Sequence, residues 1–424
     1  MREKASILVG LLWCLALLSI AVFGLLHTSR MDLMVVKNYG DRIQAYYLAL
    51  AGVERAKALL FKDSVTRRET AKNHTGALYD DETDFRDIQL GRGEFRVFHG
   101  SPVTYGITDE ESRFNVNTTP REVLSKIKGM SAEIVSAIVD WRTATNAVSA
   151  GGAGLDYYSS LTPPYLPRNG PLQTVRELLM VRGVTPELLL GDTPPPGEAD
   201  DPTDEPPAED GWLPLMTVDS ADDNVNAAGK TRVDLQTADE AALTAVQGIT
   251  PAIARDIVQS RGQKPFQSIA DLLDLTAQPT NQRNGPPQAA AGNGSPVIDD
   301  QLFEQIADDL TVGDNTSIAG LVNINTAAPE VLECLPGIDT ALSHAILSYR
   351  QSDGFFPNVA ALLKVSGMTH DIFKQIAPML TTRSETFRVI SEGRITSTGV
   401  RQRIQAILHV GPEEIQTLSY EENL

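Results

Sequence analysis

Twenty consecutive residues, Ile7 to Leu26 (ILVGLLWCLALLSIAVFGLL), carry no charge, and the pattern changes character just after them. At about 1.5 Å per helical residue, that run is long enough to cross a hydrocarbon core of about 30 Å. Beyond it, Val36, Tyr39, Ile43, Tyr46, Tyr47, Leu50, Val53, Ala56, Leu59 and Leu60 recur at helical spacing, with no proline from Met31 to Phe61. The pattern predicts one helix from the membrane segment to about residue 62, roughly 55 residues or about 80 Å. It lacks the sustained heptads of a coiled-coil stalk. Arg2 and Lys4 precede the apolar run, so the N-terminus is expected in the cytoplasm and the bulk on the far side. His27, Thr28, Ser29 and Arg30 follow it without a small-residue cleavage site, which argues against a removed secretory signal and leaves a signal anchor open.

The body of the chain repeats itself. The three copies are NVNTTPREVLSKIKGMSAEIVSAIVDWR (Asn115 to Arg142), VDLQTADEAALTAVQGITPAIARDIVQSR (Val233 to Arg261) and VNINTAAPEVLECLPGIDTALSHAILSYR (Val322 to Arg350). Asn117, Gln236 and Asn325 each stand twelve residues before Gly129, Gly248 and Gly337. Thirteen residues after each glycine stands Arg142, Arg261 or Arg350. Each copy predicts two short helices around a glycine at positive φ, a helix-end position that glycine tolerates best. Thr118, Thr237 and Thr326 are expected to cap the first helix, and Ser131, Thr250 and Asp339 the second. Ile134, Val135, Ile138 and Val139 would form the buried face of the second helix in the first copy, with Trp141 at its end. A further helical module follows each copy, at Pro171 to Leu189, Pro265 to Leu275 and Phe356 to Phe373.

Two stretches read as strands instead. Gly93 to Glu110 places Phe95, Val97, Val103, Tyr105 and Ile107 around a turn, and Glu385 to Gly411 places Phe387, Val389, Ile390, Ile404, Ala406 and Leu408 likewise. Residues 192–210 (DTPPPGEADDPTDEPPAED) and 276–296 are rich in proline, glycine or acid and read as solvated linkers.

Charge narrows the function classes. Lys and Arg number 36 against 55 Asp and Glu, a formal net charge of −19, which disfavours a phosphate-binding surface. Only Cys14 and Cys334 occur, one in the apolar run and one in a predicted soluble helix, so no disulfide between them is expected, and Cys334 reads as a small buried residue. Asp200, Asp201, Asp204 and Glu205 have the oxygen donors that calcium takes, although a solvated charge run is the plainer reading. The six histidines, His344 among them, show no metal spacing, and neither a nucleophile elbow nor a P-loop is present. No catalytic residues are assigned, and the chain is expected not to be an enzyme.

The repeat resembles the helix-hairpin-helix motif. DNA-binding members of that class usually carry Gly-x-Gly in the hairpin, where Ser131, Thr250 and Asp339 occupy the second glycine position here. Asp339 would repel phosphate, so the copies are read as structural and no nucleic acid is expected.

The N-terminus, MREKA followed by SILVGLLWCLALLS, resembles the type IV pilin-like proteins, which implies a prepilin-peptidase site between Ala5 and Ser6. The family commonly has Gly where Ala5 stands. Counting from Ser6, the fifth position is Gly10 rather than the usual Glu, and protein K subunits of type II secretion share that feature. QAYYLALAGVERAKALL (Gln44 to Leu60) and the series NVNTTPREVL, IVDWR, Tyr157–Tyr158 and LQTVRELLMVRGVTPELL also resemble the protein K family. The resemblance implies an α+β fold: a long N-terminal transmembrane helix, a pilin-like antiparallel sheet, and inserted all-α helix-hairpin-helix (SAM-like) units. The expected boundaries are a leader at 1–5, membrane and stalk helix at 6–62, first sheet half at 85–111, unit 1 at 112–192, linker at 193–231, unit 2 at 232–275, linker at 276–320, unit 3 at 321–382, and second sheet half with tail at 383–424. Unit 2 and its linkers lengthen the chain beyond the usual family pattern.

The resemblance further implies a minor pseudopilin at the tip of a type II secretion pseudopilus, single-pass in the inner membrane through residues 7–26, with its bulk periplasmic. Its partners would be the minor pseudopilins I and J, other pseudopilins, the inner-membrane assembly platform and prepilin peptidase. Two alternatives remain open. One is a membrane-anchored helix-hairpin-helix DNA receptor of the competence type; the other is a regulator or scaffold with an uncleaved N-terminus.

Overall fold

The computed structural model describes residues 2–71, 76–100, 103–145, 147–191, 211–276 and 297–422, with side chains from Gly10 onward. Along the chain, α1 (Arg2–Thr70) is a single helix about 100 Å long, one turn or two past the expected end near residue 62. The extra turns are held by Ser64 and Arg67, both buried against the folded body. A short α2 (Glu82–Phe85), capped by Asp81, leads into β1 (Ile88–Leu90), β2 (Gly93–Val97) and β3 (Thr108–Asp109).

Three helical units follow. Unit 1 opens on β4 (Phe114–Asn115), continues through α3 (Arg121–Leu124), α4 (Ala132–Arg142), α5 (Leu155–Ser159) and α6 (Pro186–Leu190), and closes on β5 (Met216–Thr217). After β6 (Ala221–Asp222), unit 2 comprises β7 (Val233–Asp234), α7 (Glu240–Thr244), α8 (Pro251–Gln263), α9 (Asp300–Ile306) and β8 (Leu310–Thr311). After β9 (Ile318–Ala319), unit 3 comprises β10 (Val322–Asn323), α10 (Pro329–Glu333), α11 (Thr340–Ser352), α12 (His370–Ile376) and β11 (Leu380–Thr381). The chain then returns through β12 (Thr386–Ile395), β13 (Arg401–Val410) and β14 (Ile415–Glu422).

Each unit is stitched shut by a two-residue parallel pair: Phe114 opposite Met216, Val233 opposite Leu310, and Val322 opposite Leu380. A further antiparallel pair, β6 with β9, brackets unit 2, so that unit is a closed excursion between units 1 and 3.

These closures redraw the linkers. Residues 211–231, assigned to the first linker, are folded: Trp212 is buried, its indole N–H donates to the Lys128 carbonyl, and Met216–Thr217 supplies β5. Residues 297–320, assigned to the second, contain α9 and β8. The proline-rich composition on one side of each boundary masked apolar closing residues on the other. The acidic core of the first linker, with Asp200, Asp201, Asp204 and Glu205, lies outside the described residues.

The main sheet is antiparallel in the order β1-β2-β12-β13-β14, with β3 also on β12. Ala45, Leu48, Ala49, Val53, Ala56 and Leu60 of α1 pack against Phe95, Val97, Val389, Ile395, Ile404, Ala406 and Leu408. Close approach demands glycine here: a Cβ at Gly393 would lie 2.1 Å from the Ala45 carbonyl oxygen of the helix backbone, and one at Gly52 2.1 Å from the Ser391 side-chain Oγ. The architecture is α+β, as the sequence implied.

Candidate functional site: anchor helix, hairpins and junction

The membrane candidate is the exposed part of α1. Leu11, Trp13, Leu17, Leu18, Phe23 and Leu25 are all more than half exposed, which only lipid or a protein partner can reconcile with their chemistry. The helix has the length and composition to cross a membrane. Its apolar face continues past the uncharged run through Met31, Val35, Val36, Tyr39 and Tyr47. Ala5 and Ser6 lie in the first turns of α1, with their side chains outside the described residues.

At the hairpins, Gly129, Gly248 and Gly337 adopt φ of 79°, 107° and 75°. Ser131, Thr250 and Asp339 cap the second helix, accepting from the N–H of Ile134 (3.3 Å), Ile253 (3.3 Å) and Leu342 (2.8 Å). The first-helix expectation is corrected. Thr118, Thr237 and Thr326 lie before the caps, which are Pro120, Asp239 and Ala328. The reason is a preceding Asx turn. Asn115, Asp234 and Asn323 accept, through their side chains, the N–H of Asn117, Gln236 and Asn325, so the threonine belongs to a turn and the helix starts later.

The residues that mark the repeat have structural roles the spacing alone did not disclose. Asn117 and Asn325 each clasp the following module in both directions: Asn117 bonds the Leu172 N–H and carbonyl, and Asn325 the Phe356 N–H and carbonyl. Gln236 donates to the Phe266 carbonyl. The terminal arginines reach back to the opening turn: Arg142 to the Val116 and Thr119 carbonyls, Arg261 to Leu235 and Ala238, Arg350 to Ala327.

The hairpins are packing joints. A side chain at Gly129 would meet Leu188 at 3.0 Å, one at Gly248 Leu302 at 2.9 Å, and one at Gly337 Ile372 at 3.2 Å, all on the last helix of the same unit. The Lys126 ammonium of unit 1 donates to the Leu335 carbonyl beside the unit 3 hairpin. In unit 1, Trp141 stacks edge-on against Tyr158 and donates to Glu177. Burial raises Glu177, but hydrogen bonds from Arg168, Trp141 and the Gln173 N–H outweigh it and leave its carboxyl below the usual range.

Three consecutive acids, Asp109, Glu110 and Glu111, fasten all of this to the sheet, and sequence reasoning passed over them. Asp109 accepts from Asn323, Thr326 and Ser384, which fixes the entry and exit of unit 3. Glu110, fully buried, accepts two bonds from Arg388 (2.7 and 3.1 Å) and one from Thr217 at the close of unit 1. Glu111 accepts from the Ala221 and Thr386 N–H groups, tying β6 to β12. Three adjacent carboxylates followed by a turn were the one local signal available.

A second layer of charge surrounds them. Arg383, buried, pairs with Asp308 of unit 2 at 2.6 Å, and Arg232 with Asp222 at 3.4 Å. Burial pushes Glu385 up to about 7 and Asp219 up to about 6, and it raises Glu111 well above the usual range. His409 is raised by its hydrogen bond to Asp223.

Cys334 is buried and Cys14 exposed; burial pushes the Cys334 thiol up to about 11, consistent with a packing role. His344 is exposed on α11. Among the described residues no group of three or more His, Cys, Asp or Glu is placed to hold a metal ion.

Residues 112–191 match the family described as type II secretion system (T2SS), protein K. Unit 1 is a protein K domain. Residues 228–277 and 318–381 match the helix-hairpin-helix motif, covering much of units 2 and 3. Among curated proteins, ComE operon protein 1 of Bacillus subtilis is 36% identical over 63 residues, 15% of this chain and 31% of its own length. Endonuclease/exonuclease/phosphatase family domain-containing protein 1 of Bos taurus is 28% identical over 147 residues, 32% of this chain and 26% of its own. The chain thus spans about a third or less of these curated relatives. A solved structure, the GspK-GspI-GspJ complex from the enterotoxigenic Escherichia coli type 2 secretion system, aligns over 90% of this chain and 98% of the matched chain, at 14% identity and a TM-score of 0.47.

Units 2 and 3 are built on the same hairpin as unit 1 and closed the same way.

Proposed function

We propose that this chain is a minor pseudopilin held in the inner membrane by α1, at the tip of a type II secretion pseudopilus that exports folded proteins across the outer membrane. The observation that carries the reading is a protein K domain joined to a sheet that packs on a long, exposed, apolar helix. Geometry supports the tip position. Gly393 and Ile395 lie beside Ala45 and Leu48, nearer the apolar run, while Glu385 faces Arg67 at the far end of α1. The helical units join the sheet at that far end, where their bulk leaves room for subunits below and obstructs any above. Minor pseudopilins I and J, the assembly platform and prepilin peptidase are the partners this reading carries, and the role is structural rather than enzymatic.

The N-terminal mass of the mature chain tests it. Membranes from cells with prepilin peptidase should yield a chain beginning at Ser6, and cells without it a chain retaining residues 1–5. An intact N-terminus in both, or cleavage beyond Leu26, would sink the pseudopilin reading.

The competence-type DNA receptor is the second reading, and the match to ComE operon protein 1 speaks for it. The hairpins speak against it: Asp339 occupies the hairpin position that would face phosphate, and the glycines back onto their own units. A filter-binding titration with duplex DNA should find no retention that falls with salt.

A further inference from the structure

Among the described residues, the main sheet is bordered by β1 on one side and β14 on the other, and the borders are unlike. β1 is three residues long. β14 runs for eight, has neither proline nor lysine, and presents Leu418 at 50% and Tyr420 at 39% exposure. A long edge with apolar side chains is a template for another extended chain unless it is guarded.

Two guards are present, and they discriminate between occupants. Leu418 is the extra residue of a bulge: Ile407 faces Ser419 and Leu408 faces Thr417, which divides the edge into two short ladders. Acidic pairs bracket the strand, Glu413 and Glu414 before it and Glu421 and Glu422 at its end. Among the described residues none of these four forms an ion pair. Pairing with a second copy would set Glu413 and Glu414 against Glu421 and Glu422 if antiparallel, and each pair against itself if parallel. Both arrangements oppose like charges, which destabilises a strand pair. A segment with basic ends meets the opposite situation.

The border also adjoins the unpartnered face of α1. The Tyr46 hydroxyl lies 3.1 Å from that of Tyr420 and donates to Glu422 at 3.2 Å, while Ile43 and Tyr47 beside it are exposed. Anything seated along β14 therefore also covers the helix face that leads towards the membrane.

We propose that the β14 border docks an extended segment of a different protein, apolar in its centre and carrying Lys or Arg at both ends. The centre packs on Leu418 and Tyr420. The backbone pairs with Ile415–Thr417 and Ser419–Glu422 on either side of the bulge, and the basic ends meet the two acidic pairs. This goes beyond the fibre reading and does not depend on it.

The test is a photo-crosslinking residue at Leu418 in the full chain in its own membrane, with a matched probe at Leu90 on the opposite border, and mass-spectrometric mapping of the adduct. The expected adduct maps to an extended segment of another protein with Lys or Arg on both flanks. Replacing Glu413, Glu414, Glu421 and Glu422 by Lys should lower its yield about tenfold or more, as like charges then face each other. An adduct to a second copy, to an acidic or helical segment, equal yield at Leu90, insensitivity to the charge reversal, or no adduct at all would each overturn the proposal. Leader trimming read on the same samples reports on the pseudopilin reading separately.

Discussion

The sheet-and-helix body and the inserted helical units are built on opposite economies of charge and contact. Residues 111–382 hold 35 of the 55 acidic residues but only 17 of the 36 basic ones, so the inserted stretch, units and linkers together, carries almost the whole negative charge and the body is close to neutral. The body depends on one long helix meeting long strands, with glycines letting backbone approach backbone. The units depend on short local motifs repeated three times, each closed by two-residue strands. What joins them is buried charge: Glu110 holds Arg388 of the sheet and Thr217 of unit 1, Arg383 pairs with Asp308 of unit 2, and Arg232 with Asp222. An acidic insert can be fastened to a neutral body this way because every buried carboxylate at the seam has hydrogen-bond donors waiting for it.

Removing one side of that seam should have the largest effect. Arg388→Met leaves the fully buried Glu110 without its paired donor, and breaking a buried pair costs about 3–5 kcal/mol. Denaturant unfolding of the detergent-solubilised chain should then split into two transitions, with the units and the body no longer cooperating. A single transition at unchanged midpoint would mean that the seam is not what couples them.

Gly393→Ala acts inside the body only. Its Cβ would sit 2.1 Å from the Ala45 carbonyl oxygen, and overpacking against backbone should cost about 3 kcal/mol. With the seam intact, near-ultraviolet signals from Trp141 and Trp212 in unit 1 should be lost together with the body, at a lower denaturant concentration than in the unaltered chain. Tryptophan signals that outlast the body's transition would show the units to be independent of it.

Acidity should separate the regions by sign. Glu385 at about 7, Asp219 at about 6, and the raised Glu111 and His409 all hold protons more tightly when folded than when unfolded. Each contribution is therefore full below the group's ordinary pKa and lost as pH rises through its raised value, which for Asp219 and Glu385 happens between about 4 and 7 and for His409 and Glu111 continues at higher pH; Glu385 alone is worth on the order of 3 kcal/mol. In the units the carboxylates of Glu177 and Asp234 are lowered, burial being outweighed by hydrogen bonds from Arg168 and Trp141 to the first and from the Gln236 N–H and Thr237 to the second. Their contribution is present above the ordinary carboxylate range and lost as pH falls below it. Hydrogen exchange at pH 5 and pH 8 should find the seam amides of Thr386 and Ala221 better protected at pH 5, after correction for the intrinsic rate. Better protection at pH 8 would contradict the assignment.

The smallest effect compares one unit with another. Asn325→Ala removes the clasp on both the N–H and the carbonyl of Phe356 and should destabilise unit 3 by about 2 kcal/mol. Gln236→Ala in unit 2, where a single bond to Phe266 is at stake, should cost about 1 kcal/mol. Thermal scans of the two variants order them, and the reverse order would remove the clasp as the explanation of that repeat position.

Much of this was legible beforehand where the signal was local. The hairpin glycines, the caps Ser131, Thr250 and Asp339, and the apolar stripe of α1 each state their conformation within a few residues. The misreadings have separate causes. Thr118, Thr237 and Thr326 have good capping chemistry, but Asn115, Asp234 and Asn323 upstream claim the turn first. β14 was passed over because Ile415 to Glu422 has little alternation of its own, and it becomes a strand by pairing with β13. Residues 211–231 were grouped with a proline-rich tract, yet Trp212 is among the most deeply buried side chains.

By itself the sequence determined the membrane-length apolar helix, the threefold repeat with its hairpins, and the acidic balance, because periodicity, spacing and charge are properties of neighbouring residues. Only the tertiary structure decided where each unit closes, that unit 2 is an excursion bracketed by β6 and β9, and that Asp109, Glu110 and Glu111 are the fastening point. Those features join residues from dozens to hundreds of positions apart, and a carboxylate reads the same in sequence whether water or an arginine 278 residues away will satisfy it.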